Sequence, residues 1–285
     1  MKESIGIIGQ GFVGSAVREG MKNHFNIYTY DKDKTKQTNT SSVDQLVSLT
    51  RDIFLCVPTP MKKNGECDLS IVRSVLRELD LAAYNLGIVD LVVILKSTVP
   101  PGTTKGLNRE YSNLTVTFNP EFLTEANAVE DYKNQSRIII GGEREVSSRV
   151  KHIFSKVFPK VNIIKTDSTT AEMIKYVTNT FLATKVSFAN EMYELCRALS
   201  IDYDKVIEYA RYDDRLGHSH WAVPGPDGDY GYGGHCFPKD IKALEFLAKS
   251  LDVDTTILTA AINKNALVRT DLDWLKQVGR AVSED

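Results

Sequence analysis

Ser4-Ile5-Gly6-Ile7-Ile8-Gly9-Gln10-Gly11-Phe12-Val13-Gly14 is the stretch on which the fold turns. Its first five residues read as a short buried strand, and a helical pattern follows the last glycine to about Asn23. Between them lies a G-x-G-x-x-G, which carries weight only with a strand before it, a helix after it and an acid about 20 residues on. The context is complete, because Phe25-Asn26-Ile27-Tyr28-Thr29-Tyr30-Asp31 is a second strand ending in a carboxylate. Gly9 allows the tight turn, Gly11 lets a pyrophosphate approach the backbone, and Gly14 lets helix pack on strand. The phosphates then lie on the helix N-terminus, where Phe12 and Val13 are expected cofactor contacts. Asp31 should accept hydrogen bonds from the adenosine ribose and repel a 2′-phosphate, which favours NAD over NADP. Lys32, Lys34 and Lys36 follow and could tolerate a phosphate, but NAD is the better fit.

Strand and helix keep alternating outward from this point. Asp52 to Val57 is a third strand, followed by Pro58-Thr59-Pro60; a helix spans about Leu69 to Tyr84, and Leu91 to Leu95 is a fourth strand. Leu114 to Phe118, Arg137 to Gly141 and Val161 to Lys165 complete the set. Their apolar runs are continuous rather than alternating, which predicts a parallel sheet covered by helices on both faces. Ligands in such folds bind past the carboxyl ends of the strands, and Pro58, Thr98 and Glu121 all fall there. The expected fold is α/β, a Rossmann-type doubly wound parallel sheet over 1–166, followed by an all-helical domain over 167–285.

The second half opens with Thr169-x-x-Glu172, a capping box. From there a helical pattern runs without proline or glycine to about Leu199, roughly 45 Å at 1.5 Å per residue. Met173, Val177, Phe181, Phe188, Met192 and Leu195 line one face, and Leu182, Val186 and Ala189 another. A long helix apolar on two sides is central to a domain or shared across a dimer. Lys175 and Asn179 are four apart and so neighbours on one face. Residues 201–235 read as loop-rich, and a last helix is expected from about Thr255 towards Trp274.

Gly231-Tyr232-Gly233-Gly234-His235-Cys236-Phe237-Pro238-Lys239-Asp240 concentrates the chemistry. Pro238 suits a first helical position, and Ile241, Leu244, Leu247, Ala248 and Leu251 recur at helical spacing. Cys236 therefore stands just before a helix N-terminus, where the positive end of the dipole and Lys239 both favour thiolate. The glycines would let backbone pass close to a bulky ligand. Cys56 and Cys196 read as packing residues, and Cys67 lies in a loop.

Composition bounds the partners. Among 285 residues, 42% are apolar and 25% charged, and the net charge of −2 leaves no basic footprint for nucleic acid. Four scattered cysteines without a C-x-x-C pair suggest neither a zinc site nor a disulfide framework, and a reduced, cytoplasmic setting fits. The apolar runs are too short to span a bilayer. Glu3 and the early glycines argue against a signal peptide.

Gly9 to Gly14, Asn119-Pro120-Glu121-Phe122-Leu123 with Glu125, Lys175 with Asn179, and Gly233 to Asp240 together resemble the UDP-glucose/GDP-mannose dehydrogenase family along nearly the whole chain. The resemblance implies oxidation of a sugar 6-hydroxyl to a carboxylate with two NAD per sugar. It makes Cys236 the nucleophile that captures an aldehyde as a thiohemiacetal and then carries a thioester. Glu121 matches the base for thioester hydrolysis, Thr98 and Asp240 the residues that hold the water, and Lys175 and Asn179 the stabilisers of oxyanion charge. Phe122, Leu123, Tyr232 and Gly233 would line the sugar site. Lys36, Pro58, Thr98, Glu125 and Lys239 would touch the cofactor. Arg215 looks like the arginine that reaches the neighbouring site of a homodimer built on the 169–199 helix.

Members of that family usually continue into a third α/β domain, and this chain stops after the linking helix, so the third domain is expected to be absent. His235 also occurs in relatives acting on N-acetylated sugars, but those usually lack the lysine matching Lys239, which favours a UDP-glucose type. A GDP-mannose or UDP-N-acetyl-sugar substrate is the alternative within the family. Outside it stand a β-hydroxyacid dehydrogenase, which would need no cysteine, and an inactive or partner-dependent nucleotide-binding relic. No metal site is expected.

Overall fold

The computed structural model describes residues 2–284. The chain divides into two units, one comprising residues up to Thr59 with Leu69–Lys175, the other Pro60–Asp68 with Tyr176 onward.

The first unit alternates strand and helix: β1 (Ser4–Ile8), α1 (Phe12–Met21), β2 (Asn26–Tyr30), α2 (Val43–Leu49), β3 (Asp52–Leu55), α3 (Ser70–Asn85), β4 (Leu91–Leu95), α4 (Thr103–Glu110), β5 (Leu114–Phe118), α5 (Ala128–Lys133), β6 (Arg137–Gly141), α6 (Arg144–Val157) and β7 (Asn162–Thr166). The strands form one sheet in the order β2-β1-β3-β4-β5-β6-β7. Its reversal between β1 and β3 is the switch point at which such sheets bind ligands. The expected all-parallel sheet needs one correction. β5 and β6 meet antiparallel, at Phe118 and Gly141 alone, so β6 and β7 run together against the other five strands. The chain between them goes into the Asn119–Glu121 turn and α5, whose Tyr132 ring packs where a Cβ on Gly20 of α1 would stand, 2.4 Å away. It re-enters the sheet from the carboxyl end.

Alternation along the central strands fills two layers. Ile53 and Leu55 face Leu46, Leu76, Leu79 and Leu107, whereas Phe54 faces Val17, Met21 and Phe154 on the other side. Each such fully buried side chain contributes about 1.5–3 kcal/mol. All five residues of β4, at the centre, are buried, while edge strand β7 is largely open, so two-sided cover holds only for the middle of the sheet.

The glycine motif has the geometry its spacing predicts. Gly9 has φ +90°, and a Cβ there would lie 2.4 Å from the Cys56 carbonyl oxygen. A Cβ on Gly14 would stand 1.8 Å from the Gly9 carbonyl oxygen, so α1 can seat on the turn only without one. Gly11 has nothing within 4 Å of its Cβ position.

Helix α7 (Ser168–Ala198) contributes its first turns to the first unit and the rest to the second. The capping box expected at its start is not what forms. Asp167 accepts the Thr170 N–H at 2.9 Å, while the Glu172 carboxylate takes the N–H groups of Gly102 and Thr104 at 2.6 and 2.7 Å. Glu172 thus caps α4, a helix 68 residues earlier in the chain, and its burial pushes its carboxyl up from the ordinary value despite those hydrogen bonds.

The second unit continues with α8 (Tyr203–Ala210), α9 (Phe237–Ser250) and α10 (Thr256–Val268). α8 corrects the loop-rich reading of 201–235. Its two turns are too short to persist alone, but Asp202 caps them and Tyr203 and Ile207 pack with Cys196 and Trp221. α10 stops before Trp274, which sits in a short 3-10 turn packed on Met61 and Ala281. There the 60–68 segment joins the second unit: the Met61 N–H donates to the Ala281 carbonyl at 2.9 Å, and the Ser283 N–H to the Met61 carbonyl at 2.9 Å.

Candidate active site

In the first unit the glycine turn and the acid at the end of β2 come together as the motif implies. The Gln10 N–H donates to Asp31 Oδ2 at 2.6 Å and the Asp33 N–H to Oδ1 at 2.9 Å. Each oxygen keeps lone pairs for ribose hydroxyls. The open face at Gly11, at the start of α1 where the N-cap residue makes no side-chain cap, suits a pyrophosphate. These residues fit a dinucleotide. Phe12 and Val13 are half-buried at the start of α1, and Lys36, Pro58 and Glu125 are exposed.

Past β4 and β5 lie Thr98 and Glu121, both buried. The Lys175 ammonium donates to the Glu121 carbonyl at 2.6 Å and to Oε1 at 2.9 Å, and Oε2 accepts the Leu123 N–H at 2.7 Å. Burial alone would push the Glu121 carboxyl up. Lys175, the Leu123 N–H and the more distant Lys96 outweigh it and hold the group below its ordinary value. Lys175, at 2% exposure, is therefore no solvated helix lysine but half of a buried ion pair. Phe122 presents its ring to Lys175 at 5.4 Å and to Arg137 at 4.4 Å.

One member of this cluster escaped sequence reasoning. Lys96, the residue after β4, is 3% exposed and donates to Asn119 Oδ1 at 2.7 Å and to the Asn119 carbonyl at 3.3 Å. Burial pulls its ammonium down to about 8. The available signal was a lysine directly following five apolar strand residues.

In the second unit Cys236 is half-buried and immediately precedes α9, with Pro238 in the first turn. Lys239 pairs with Asp240 Oδ1 at 2.5 Å, and the Asn179 amide donates to Asp240 Oδ2 at 2.6 Å. Asp240 is 1% exposed, so the lysine and the amide together satisfy a buried carboxylate. Burial would lower Lys239, but the Asp240 carboxylate beside it, foremost, pushes it well above its ordinary value. A firmly cationic amine and a helix N-terminus both favour the Cys236 thiolate. Lys239, expected among the cofactor contacts, is engaged with Asp240.

The glycine loop before Cys236 makes room chiefly for the protein's own side chains. A Cβ on Gly231 would lie 2.2 Å from Asn265 Oδ1, and one on Gly233 would lie 2.2 Å from Arg269 Nη2. Asn265 accepts the Tyr232 N–H at 2.7 Å and donates to its carbonyl at 3.0 Å, and Asp273 accepts the Gly234 N–H at 2.9 Å. Arg269 in turn pairs with Asp227, Asp229 and Asp273. Of Gly231, Gly233 and Gly234, it is Gly234, with φ +69°, that combines a left-handed backbone with open space. Arg215 is 88% exposed in its side chain and paired to Asp213. Among the described residues no cluster of three or more His, Cys, Asp or Glu could hold a metal, and no helix is long and apolar enough to cross a membrane.

A glycine turn at the β1–β3 switch point, with a carboxylate ending β2, defines a dinucleotide-binding domain of the Rossmann type. Comparison with known proteins makes this specific. Residues 33–161 match the NAD binding domain of the UDP-glucose/GDP-mannose dehydrogenase family, and residues 169–266 match its central domain. The chain belongs to that family. A UDP-glucose 6-dehydrogenase from Rickettsia bellii is 37% identical over 232 residues, covering 79% of this chain and 51% of the relative. Among solved structures, a UDP-glucose dehydrogenase from Pyrobaculum islandicum superposes with a TM-score of 0.84 at 28% identity, covering 94% of this chain and 68% of that one. A GDP-mannose dehydrogenase from Pseudomonas aeruginosa gives a TM-score of 0.69 at 28% identity, covering 93% and 68%. The chain spans about half the length of the curated relatives it matches.

Proposed function

We propose that this protein oxidises the 6-hydroxyl of a nucleotide sugar, UDP-glucose first among them, to a carboxylate through a covalent intermediate on Cys236. The observation that carries the reading is the placement of Cys236 at the N-terminus of α9 beside the Lys239–Asp240 pair. NAD, when bound, accepts a hydride at each of two oxidations. The chain's own residues do the rest. Cys236 adds to the aldehyde carbon to give a thiohemiacetal, whose oxidation leaves a thioester. Lys175 and Asn179 are fixed donors suited to the developing oxyanion. Glu121, held ionised, takes a proton from the water that cleaves the thioester, with Thr98 and Asp240 holding that water. Phe122, Leu123, Tyr232 and Gly233 are assigned to the sugar, and Lys36, Pro58 and Glu125 to the cofactor. The domain division at residue 166 belongs to the same reading, as does a reduced, cytoplasmic setting, which the four free cysteines support.

The test is the number of NADH formed per sugar consumed, with UDP-glucose, GDP-mannose and UDP-N-acetylglucosamine compared. Two NADH per UDP-glucose is the expected result. One NADH with free aldehyde released, or preference for another sugar, overturns the mechanism or the substrate respectively.

The reading includes a homodimer through α7. Phe181 is 66% exposed and Phe188 51%, with Val177 and Leu195 also open along the helix, more apolar surface than one solvated helix needs. Arg215, open to solvent, is the side chain assigned to the neighbouring site. Sedimentation at micromolar concentration is expected to show twice the monomer mass, falling to the monomer in Phe181→Glu. A monomeric wild type rules the dimer out.

A further inference from the structure

Two lysines grip the Asn119-Pro120-Glu121 turn, and only one has a role in the chemistry above. Lys175 holds the carbonyl and carboxylate of Glu121 from α7. Lys96 holds the carbonyl and the side-chain oxygen of Asn119 from the end of β4, and Asn119 in turn donates to the Ile139 carbonyl at 2.6 Å. Lys96 is buried with amide oxygens as its hydrogen-bond acceptors, and among the described residues it forms no ion pair. An ammonium buried on those terms is costly. A methionine or leucine there would extend the apolar run of β4 at no such penalty, so packing alone does not account for it.

We propose that Lys96 is a positioning residue for the hydrolytic step: it fixes the turn that carries Glu121 and supplies the second positive charge facing that carboxylate. The role rests on the assignment of Glu121 as base. Facing the pair are Lys175 from α7, the Leu123 N–H, the Tyr132 ring, 5.9 Å from the Lys96 ammonium, and the Cys56 thiol after β3. Burial pushes that thiol up to about 12, so it stays neutral and leaves the Lys96 charge to act on Glu121. The attraction is mutual: Lys96 lowers Glu121, and Glu121 raises Lys96 against its burial. A base must be deprotonated to accept a proton, and a carboxylate this buried needs compensating charge to stay so.

The decisive measurement is the titration of Glu121 itself, by NMR of the full chain carrying 13C-carboxyl glutamate, with Glu121→Gln identifying the resonance. Glu121 is expected to titrate below the ordinary carboxylate value, and Lys96→Met to raise it by about one unit. Lys96→Gln keeps a donor for Asn119 without the charge and is expected to give the same shift. A Glu121 resonance unmoved in either folded variant overturns the proposal. So does a wild-type resonance at or above the ordinary value, which needs no change at Lys96. Thioester hydrolysis, followed in a single turnover, separates the two claims. If it proceeds unimpaired in Glu121→Gln, the base assignment falls and the catalytic meaning of Lys96 with it. If it stalls there while the titration is unmoved by Lys96→Met, Glu121 stands and Lys96 does not.

Discussion

Replacing Cys236 by alanine is expected to reduce net formation of the sugar acid by at least about a thousandfold, the scale on which removing a covalent nucleophile acts. The second oxidation needs a carbon that bears both a hydride to give up and an oxygen able to support its loss. A thiolate supplies this by adding to the aldehyde, and neither Lys239 nor Asp240 can replace it. Lys239 is held protonated by its ion pair and Asp240 is engaged on both oxygens. Cys236→Ser should also fail at this step, since a hydroxyl is far less ionised than a thiol. Binding of NAD to the glycine turn should be unaffected, and thermal stability nearly so, because the side chain is only half-buried. Undiminished acid production by Cys236→Ala would falsify the covalent mechanism.

Lys175→Met is expected to destabilise the first unit strongly. It keeps the volume but leaves the Glu121 carboxylate and carbonyl without their 2.9 and 2.6 Å donor. Breaking one side of a buried pair costs about 3–5 kcal/mol, a drop of roughly 6–20 °C in melting temperature for a chain of this size. The pH dependence should invert. In the wild type Glu121 titrates below its unfolded value, so its contribution is present above that value and lost as the pH falls through the folded one. In Lys175→Met burial prevails and the folded value rises above the unfolded one. The variant should then gain stability as the pH falls, and lose it as the pH rises through the new folded value. Glu121→Gln added to Lys175→Met should recover part of the loss, because a neutral amide needs no counter-charge. Equal melting temperatures for wild type and Lys175→Met would mean that the pair contributes nothing.

Much of the site was legible because its chemistry is local in the chain. The glycine turn is written within six residues, and the steric reasons for it, at Gly9 and Gly14, lie within a few residues or one strand away. Cys236, Pro238, Lys239 and Asp240 fall within one helical turn, so a helix start and a charged neighbour could be inferred together. Lys175 and Asn179 share a helix face by spacing alone. Lys96 was missed: the apolar run of β4 before it hints at burial, but the groups that satisfy the ammonium are remote, its acceptor Asn119 being 23 residues away. Glu172 misled for the complementary reason, since a local pattern offered a cap for α7 while the carboxylate was taken by α4.

The class of fold, the dinucleotide turn and the cysteine helix can be read along the chain alone, because strand and helix periods, glycine sterics and helix-end dipoles act over a few residues. The antiparallel entry of β6, the assignment of 60–68 to the second unit, the service of Gly231 and Gly233 to Asn265 and Arg269, and the burial of particular lysines come from the folded arrangement. Those depend on which distant side chains share a volume. Burial is what turns a lysine from a solvated charge into an electrostatic device, and no spacing along the chain records it.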